Sequence, residues 1–467
     1  MADYSIKELQ QWNSRIEELV HKEGLNCYEQ EFELVSYEDM TGYEAYAGMP
    51  SHYPHWSYGK AYERIRTLNK YNLSGLPYEM VINSNPCIAY LMKDNSLLLQ
   101  ILTMAHAYGH NDFFKNNRFF RTVTRAEYTV ELFKNHAVRI REYISDPAIG
   151  YAKVEKVLNA AHALRYQCAR TTGANKLKAE EIKKRLQNSS SNAKSEFKLL
   201  EPPQHKHIEE PDLKRIPLEP EEDLLLFAVN YGRLEEWEKD VVNIVREETL
   251  YFTPQIETKI MNEGWASYWH YFMLNNIGLP QQLHFEFLRR HNQVVKAHEE
   301  RINPYYLGFK IFEDVFRKNE ANPEKIFEVR EIERDESFIR RYLTQELCCE
   351  LKLYEYKKDG NEYIVSEVAD KEGWHKIRNT LASSAGTGRI PLIQVTDMML
   401  KENTLLLEHI YDGRELEINY AIETLKHFVD LWEGRVILNT VVEGRKRSVI
   451  CDDQKKTVLV DLGKRNV

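Results

Sequence analysis

Two histidines four residues apart, His106 and His110, are the side chains whose types and spacing best suit chemistry. They lie in the stretch LTMAHAYGHNDFF (102–114), which is largely apolar and predicts a buried helix. On a helix, residues i and i+4 share a face with Cβ atoms about 5–6 Å apart, so two imidazoles placed in this way can chelate one divalent ion. Metalloproteases arrange two histidines around a catalytic glutamate as HExxH, but Ala107 stands where that glutamate would be. The spacing alone also fits two core histidines that are hydrogen-bonded to carboxylates or to the backbone.

A second stretch, TKIMNEGWASYWHYF (258–272), favours the metal interpretation. It places Glu263 in an apolar, aromatic helix, where a carboxylate is costly to bury unless it is paired or binds a metal. The gluzincin arrangement takes its third ligand from a glutamate on a separate, later helix, and the small residues after Glu263 would let two helices approach. His270 lies two turns further along the same face and is a candidate fourth ligand or a partner of another ligand.

The sequence therefore predicts one metal ion per chain, held by the two histidines and the distant glutamate. Zinc is the default ion for two histidines and a carboxylate with an open position, and iron or manganese are the alternatives.

The motif contains no obvious general base, because alanine replaces the glutamate that deprotonates water in HExxH enzymes. Three carboxylates are candidates for this catalytic role: Asp112, two residues after His110, and Glu247 and Glu248 in VREETLYF. Asp112 also fits a helix-end cap or a partner of Lys115.

Six further residues are candidates for the lining of a substrate pocket: His55, Asn83, Asn85, Tyr108, Trp265 and Tyr305. Each has a structural alternative. The histidine and the aromatic residues also fit packing roles, and the asparagines also fit turn geometry.

The length and composition of the chain limit the classes of protein to which it could belong. At 467 residues the chain is too long for one hydrophobic core and predicts two or three domains. Its 72 acidic residues outnumber its 63 lysines and arginines, for a formal net charge of -9, whereas nonspecific nucleic-acid binding needs a basic field.

The beginning of the sequence lacks the pattern of a secretory signal, and no apolar run approaches the roughly 20 residues of a membrane helix. Six scattered cysteines without a CxxC pair fit a reducing compartment. We expect a cytoplasmic protein with no transmembrane segment and no nucleic-acid partner.

The periodicity along the chain predicts a mainly α fold, with a large zincin-like helical domain followed by a small α+β C-terminal unit. The predicted domains are 1–325, mainly helical and containing the metal site, 326–390, an α+β connecting region, and 391–467, a small α+β domain. Within the first, residues 171–221 are polar and charged and are interpreted as a mobile excursion.

Two Asp-Gly pairs within alternating apolar stretches predict β-hairpins. The first is Asp359-Gly360, in the connecting region, and the second is Asp412-Gly413, in the C-terminal domain. A helix and about three more strands are predicted after the second pair.

Five long motifs give the sequence a resemblance to a known family. They are MPSHYPHWSYGK (49–60), EMVINSNPCIAYLM (79–92), AHAYGHNDFFKNN (105–117), TPQIETKIMNEGWASYWH (253–270) and INPYYLGFKIFEDV (302–315). In this order they resemble the signatures of the SpoVR family, the stage V sporulation protein R group. The resemblance extends from about residue 5 to the C-terminal unit and is weakest in 171–221. The family's histidine pair falls on His106 and His110, and its NEGWA glutamate on Glu263.

The resemblance implies a role in forming the spore cortex, which is peptidoglycan, from the cytoplasm of the mother cell of a sporulating bacterium. It also implies a protein or peptide substrate or partner in the sporulation pathway. Family members occur in bacteria that make no spores, so the implied molecular activity is broader than cortex assembly.

Three functional hypotheses follow from the residues and the resemblance. The first is a zincin-type metal-dependent hydrolase or peptidase. The second, favoured by Ala107, is a non-catalytic assembly or regulatory protein on a degenerate metalloprotease scaffold. The third is a metal-dependent oxidoreductase like the carboxylate-bridged di-iron bundles, but those use paired ExxH motifs and none surrounds Glu263.

Overall fold

The structure is a computed structural model of the chain. It describes residues 4–71, 79–170, 177, 179–195, 213, 215–297, 302–359 and 362–462. About half of the predicted excursion at 171–221 lies outside these residues. None of the described helices combines the length and the apolar character needed to cross a membrane.

The described chain is mainly helical, with a small β-containing part near its C-terminus, as the sequence predicted. The helices are α1 (Ile6–Lys22), α2 (Tyr37–Ala45), α3 (Trp56–Lys70), α4 (Leu97–Asn116), α5 (Arg118–Val123), α6 (Thr129–Ser145), α7 (Tyr151–Leu164), α8 (Ala179–Ser195), α9 (Leu224–Tyr231), α10 (Glu236–Glu257), α11 (Lys259–Asn276), α12 (Gln281–Val294), α13 (Pro304–Lys318), α14 (Lys325–Ile332), α15 (Asp335–Tyr342), α16 (Gln345–Glu350), α17 (Gly373–Ser383) and α18 (Ile418–Trp432). The strands are β1 (Gln30–Val35), β2 (Met80–Ile82), β3 (Cys87–Met92), β4 (Glu355–Asp359), β5 (Glu362–Glu367), β6 (Ile393–Met399), β7 (Thr404–His409), β8 (Arg435–Val442), β9 (Arg445–Cys451) and β10 (Thr457–Asp461).

The chain divides into two compact units, each made of two separate stretches of sequence. The first unit contains Met1–Glu142 and Tyr251–Arg389, and the second contains Tyr143–Leu250 and Ile390–Val467. The ranges predicted from the sequence were instead continuous along the chain, and they stay predictions.

Helices α4, α11 and α13 form the centre of the first unit, because small residues let their backbones approach closely. A Cβ atom at Gly109 in α4 would lie 2.6 Å from the Cα of Ala266 in α11. A Cβ at Gly264 in α11 would overlap the backbone of Gly308 in α13. Helix α4 is almost wholly buried, consistent with its apolar sequence, and begins at Ser96, whose hydroxyl accepts a hydrogen bond from the Leu99 amide at 3.3 Å.

A three-stranded sheet lies beside these helices in the order β1-β3-β2. Its central strand β3, CIAYLM, is mostly buried, pairs parallel with β1 and antiparallel with β2, and places Met80 opposite Tyr90. Glu79 immediately precedes β2 and is therefore positioned by this pairing. Elsewhere in the same unit, β4 and β5 pair antiparallel on either side of residues 360–361, where the first hairpin was predicted.

The second unit contains a five-stranded sheet in the order β10-β9-β8-β7-β6. Strands β7 and β8 are parallel and are connected by α18, which packs against α7 and β8. The hairpin predicted at Asp412-Gly413 is wrong, since this pair lies in the connection between β7 and α18. An Asp-Gly turn can also lead from a strand into a helix, and the alternation before it does not show which strand pairs next.

We predict that Gly264→Ala destabilises the chain, because the added methyl group has no space between α11 and α13. Overpacking of this kind costs about 1–3 kcal/mol, and backbone contact leaves little room for relief. Thermal unfolding of the full chain measures the effect. Gly59→Ala is the matched control, since Gly59 is exposed within α3 and a Cβ there meets no atom within 4 Å. That change should be neutral or slightly stabilising. Equal unfolding midpoints for the two variants would contradict the close packing.

Candidate metal centre

Four side chains from three elements converge on one point in the first unit. His106 and His110 come from one face of α4, Glu263 comes from α11, and Glu79 comes from the start of β2. One ligand atom of each lies within 4.8 Å of every other. The close contact between α4 and α11 at Gly109 places Glu263 opposite the histidine pair.

The separations within this cluster suit a metal ion. The Nε2 atom of His106 lies 3.0 Å from Glu79 Oε1 and 3.8 Å from Glu263 Oε2. The Nε2 atom of His110 lies 3.7 Å and 3.6 Å from the same two oxygens. Ligands bound at about 2.0–2.1 Å around a tetrahedral ion stand roughly 3.3 Å apart, which is close to these distances.

Unsatisfied oxygens provide an independent test of the fit. Within the described part of the chain, Glu79 Oε2 and Glu263 Oε2 are buried and have no hydrogen-bond partner. A buried acceptor in this state costs about 1–3 kcal/mol, more when it is charged. A cation among the four side chains would bind Glu263 Oε2, which faces both histidines, so the residues present fit a metal.

The electrostatics of the cluster show strong coupling. Burial alone would raise the pKa of Glu79, but His106 and His110 outweigh it and lower that pKa to about 2. Burial alone would lower the pKa of His106, but Glu79 and Glu263 outweigh it and raise that pKa to about 9. The Glu79 carboxylate and the protonated His106 ring thus stabilise each other. Metal binding displaces such protons from its ligands.

The Nδ1 atoms of the two imidazoles also have hydrogen-bond partners. His110 Nδ1 lies 2.9 Å from Asn262 Oδ1, so Nδ1 donates and Nε2 is left to face the cluster. His106 Nδ1 lies 2.7 Å from His270 Nδ1, and His270 Nε2 lies 2.8 Å from His291 Nδ1. If His106 donates to His270, and His270 to His291, the lone pair of His106 Nε2 points at the other ligands.

His270 therefore lies behind His106 and not among the four convergent ligand atoms. Burial, followed by the charges of His106 and His291, lowers the pKa of His270 well below its ordinary value, which suits a neutral hydrogen-bond acceptor. Glu79 is the fourth convergent side chain, a place for which the sequence offered His270.

Asp112, a candidate base, forms contacts that connect α4 with α11 and α14. Its carboxylate accepts hydrogen bonds from Trp265 Nε1 at 2.9 Å and from the Asn26 amide at 2.8 Å. Arg330 Nε on α14 lies 3.1 Å from the same group. Burial raises the pKa of Asp112 to about 6, although Arg330 opposes it. The fully buried Trp265, a candidate pocket residue, acts as a partner in this network.

The other two candidate bases, Glu247 and Glu248, lie on α10 within the second compact unit. Glu247 is exposed and Glu248 is buried. Neither belongs to the group of four convergent side chains, which is in the first unit.

Tyr305 is the pocket candidate that the structure brings to the cluster. Its ring centroid lies 6.1 Å from that of His106. Burial, followed by Glu263 and Glu79, raises the pKa of Tyr305 well above its ordinary value. Its hydroxyl group therefore keeps its proton. Together with Glu79, His110 and Glu263, it lines a cavity of about 280 Å³.

The remaining pocket candidates have other partners and line none of the described cavities next to the cluster. His55 caps α3 and accepts from the Ser57 amide. Asn83 donates to Thr124 Oγ1 at 2.8 Å, and Tyr108 donates to Asn13 Oδ1 at 3.2 Å. Asn85 is exposed at its side chain and donates its backbone N–H to the Ala126 carbonyl at 3.0 Å.

Comparison with known sequences identifies the family. The family model described as "SpoVR like protein" matches residues 3–390, and the one described as "SpoVR-like C-terminal domain" matches residues 391–443. The chain belongs to the SpoVR family. A relative from Escherichia coli (strain K12), named "Uncharacterized protein YcgB", is 34% identical over 475 residues, covering 93% of this chain and 92% of that protein. No solved structure matches the chain. SpoVR membership suggests a sporulation protein.

Glu79 is the residue of this SpoVR-family cluster that reasoning from the sequence missed. Its signal was present, because Glu79 begins the motif EMVINSNPCIAYLM as a carboxylate directly before an apolar strand. Nothing in its spacing connects it to His106. Only the pairing of β2 with β3 brings it there.

We predict that the full chain, purified without an affinity tag, contains about one divalent metal ion and that Glu263→Gln lowers its affinity. The loss should exceed about 100-fold, since even an outer partner of a ligand is worth 10–100-fold. Elemental analysis and competition with a chelator measure this. Glu31→Gln, which changes an exposed carboxylate on β1, is the control and should bind normally. Unchanged affinity in the Glu263 variant would remove Glu263 from the ligand set.

A second prediction concerns the histidine behind the cluster. His270→Ala should weaken metal binding by roughly 10–100-fold without abolishing it, because His106 loses the partner that fixes its ring and tautomer. His21→Ala, on the exposed face of α1, should leave binding unchanged. The same chelator competition distinguishes the two. Complete loss of metal in the first variant, with the fold intact, would make His270 a ligand instead.

Proposed function

We propose that this protein is a metal-dependent hydrolase that cleaves a peptide or amide bond in the sporulation pathway, with zinc as its metal. The observation that supports this most is the convergence of two histidines and two glutamates beside a cavity. A purely structural metal site is normally closed, whereas a catalytic one keeps access for a substrate.

In this proposal His106, His110 and Glu263 hold the ion in a zincin-like arrangement, with a histidine pair on one helix and a glutamate on a later one. When bound, a metal of this kind polarises a carbonyl group and makes water more acidic. Iron or manganese would also suit the same nitrogen and oxygen donors.

Glu79 supplies the carboxylate that the helical motif lacks. Where an HExxH enzyme carries its glutamate between the histidines, this chain has Ala107 and brings a carboxylate from β2 to within 3.0 Å of His106 Nε2. We assign to Glu79 the acceptance of the proton from water and its delivery to the leaving amine. Tyr305, which lines the same cavity, keeps its proton and donates a hydrogen bond to the carbonyl oxygen of the substrate.

Asp112, Glu247 and Glu248 are not needed as bases in this scheme. The hydrogen bonds to Asp112 from α11 and from Asn26 already account for its burial. Family membership suggests a sporulation protein, and our proposal places its action in spore cortex formation, on a protein or peptide in the mother-cell cytoplasm.

A second candidate function is a non-catalytic assembly or regulatory protein on a degenerate metalloprotease scaffold. The observation that favours it is Ala107, since the helix itself carries no base. In that case the metal would hold β2, α4 and α11 together, and partner binding would be the function.

We predict that the full chain with zinc cleaves members of a mixed set of fluorogenic peptides, that a chelator stops cleavage, and that added Zn²⁺ restores it. Glu79→Gln should lower the rate at least about 100-fold, as expected for loss of a positioned acid–base group. Glu31→Gln should leave it unchanged.

The spore yield of a sporulating host that carries only the variant chain separates the two functions. A fully metal-loaded Glu79→Gln chain that cleaves no peptide yet supports normal numbers of heat-resistant spores would favour the non-catalytic function. Loss of both cleavage and spores would favour the hydrolase.

A further inference from the structure

A cavity of about 800 Å³ in the first unit shares Glu263 and Tyr305 with the metal cluster. This volume is in the range of small-molecule and peptide sites. Much of its described wall is aliphatic, including Ile260, Leu307, Ile339 and Leu381. Such a wall favours an apolar group, because burial removes the apolar surface of that group from water.

Two cations lie on the wall of this cavity, and neither forms a salt bridge among the described residues. Lys259 is exposed, and among the described residues it forms no salt bridge. Arg389 donates from Nε to the Ser384 carbonyl at 2.7 Å and likewise has no salt bridge within the described chain. The cavity's buried acid, Asp335, accepts the backbone N–H groups of Ile260 and Met261 at 2.8 and 2.9 Å.

Lys259 lies close to the metal cluster along α11. It precedes Glu263 by four residues on α11, so the two share a face with Cβ atoms about 5–6 Å apart. Both residues also line an adjacent cavity of about 470 Å³. A peptide residue spans at most about 3.3–3.6 Å. An anionic group at Lys259 would therefore lie one or two residues along a peptide from a carbonyl at the cluster.

The wall that carries Arg389 is anchored. Glu257, which is buried, accepts a hydrogen bond from the Thr387 amide at 3.1 Å and is contacted by Arg334 NH1 at 3.4 Å. The cavity is therefore formed before any ligand enters, which reduces the entropy lost on binding.

We propose that this cavity binds the C-terminal residue of a peptide, with its apolar side chain against the aliphatic wall and its free carboxylate at Lys259 and Arg389. This inference rests on the proposed function and makes the activity that of a carboxypeptidase. Water adds across the last peptide bond: the C–N bond breaks, the acyl carbon gains the oxygen as a new carboxylate, and both protons of the water go to the released amine, which leaves as an ammonium group.

The test uses the full chain as purified and uncleavable probes, so binding is measured without turnover. The probes are acetyl-Ala-Ala-Leu analogues in which a ketomethylene group replaces the last peptide bond, ending in a free acid or in an amide. Calorimetry should show the acid binding about tenfold more tightly, the value of one charged hydrogen bond. A probe with Glu in place of Leu should bind roughly tenfold more weakly than the Leu acid.

Lys259→Gln should remove most of the preference for the acid over the amide. Lys7→Gln is the matched control, since Lys7 is an exposed lysine on α1 that lines none of the described cavities, and should retain the preference. Because both lysines are exposed, both variants should keep the unfolding midpoint of the parent chain.

Equal affinity for the acid and the amide would overturn the proposal, as would a preference that survives Lys259→Gln. The outcome is separable from that of the proposed function. Acid-dependent binding without hydrolysis of acetyl-Ala-Ala-Leu would support this pocket and refute the hydrolase. Cleavage of amidated peptides as fast as free acids would support the hydrolase and refute this pocket.

Discussion

The burial of two carboxylates beside two histidines is the constraint on which the rest of the site depends. Glu79 and Glu263 expose only 9% and 18% of their side chains, and an ionised carboxylate is costly to remove from water without a compensating charge. A divalent cation among the four side chains would supply that charge and would also bind Glu263 Oε2, which lacks a hydrogen-bond partner within the described chain. The burial of these carboxylates therefore favours metal binding, whatever reaction the site supports.

Close packing of three helices creates this arrangement. Glycines at 109, 264 and 308 let α4, α11 and α13 approach until their backbones touch, and the position of Glu263 opposite the histidine pair follows from that approach. Asp112 strengthens the same contact through Trp265 and Arg330. Its place one half-turn after His110 made it resemble a catalytic base. The structure instead surrounds it with donors, and its burial is explained by the helix contacts alone.

The sequence was sufficient where the chemistry is local and insufficient where it depends on pairing between distant segments. The i, i+4 spacing of His106 and His110 and the apolar surroundings of Glu263 were enough to single out these three residues. Glu79 arrives through a β ladder that no periodicity predicts. The Asp412-Gly413 turn was read as a hairpin because the return path through α18 and the parallel pairing of β7 with β8 are not visible in the turn itself. Each compact unit is likewise built from two separated stretches, an arrangement that depends on contacts between distant segments.

The presence of alanine at position 107, where HExxH enzymes have glutamate, can be explained without a degenerate metalloprotease site. Because α4 is buried on almost every side, a glutamate at 107 would add a third negative charge to the helix interior. The chain instead carries its additional carboxylate on a segment beside β2, at the edge of a cavity. From there Glu79 contacts the Nε2 sides of both histidines while Asn262 and His270 hold their Nδ1 sides. Each imidazole is thus fixed from two directions, so its Nε2 atom already faces the other ligands before a metal binds.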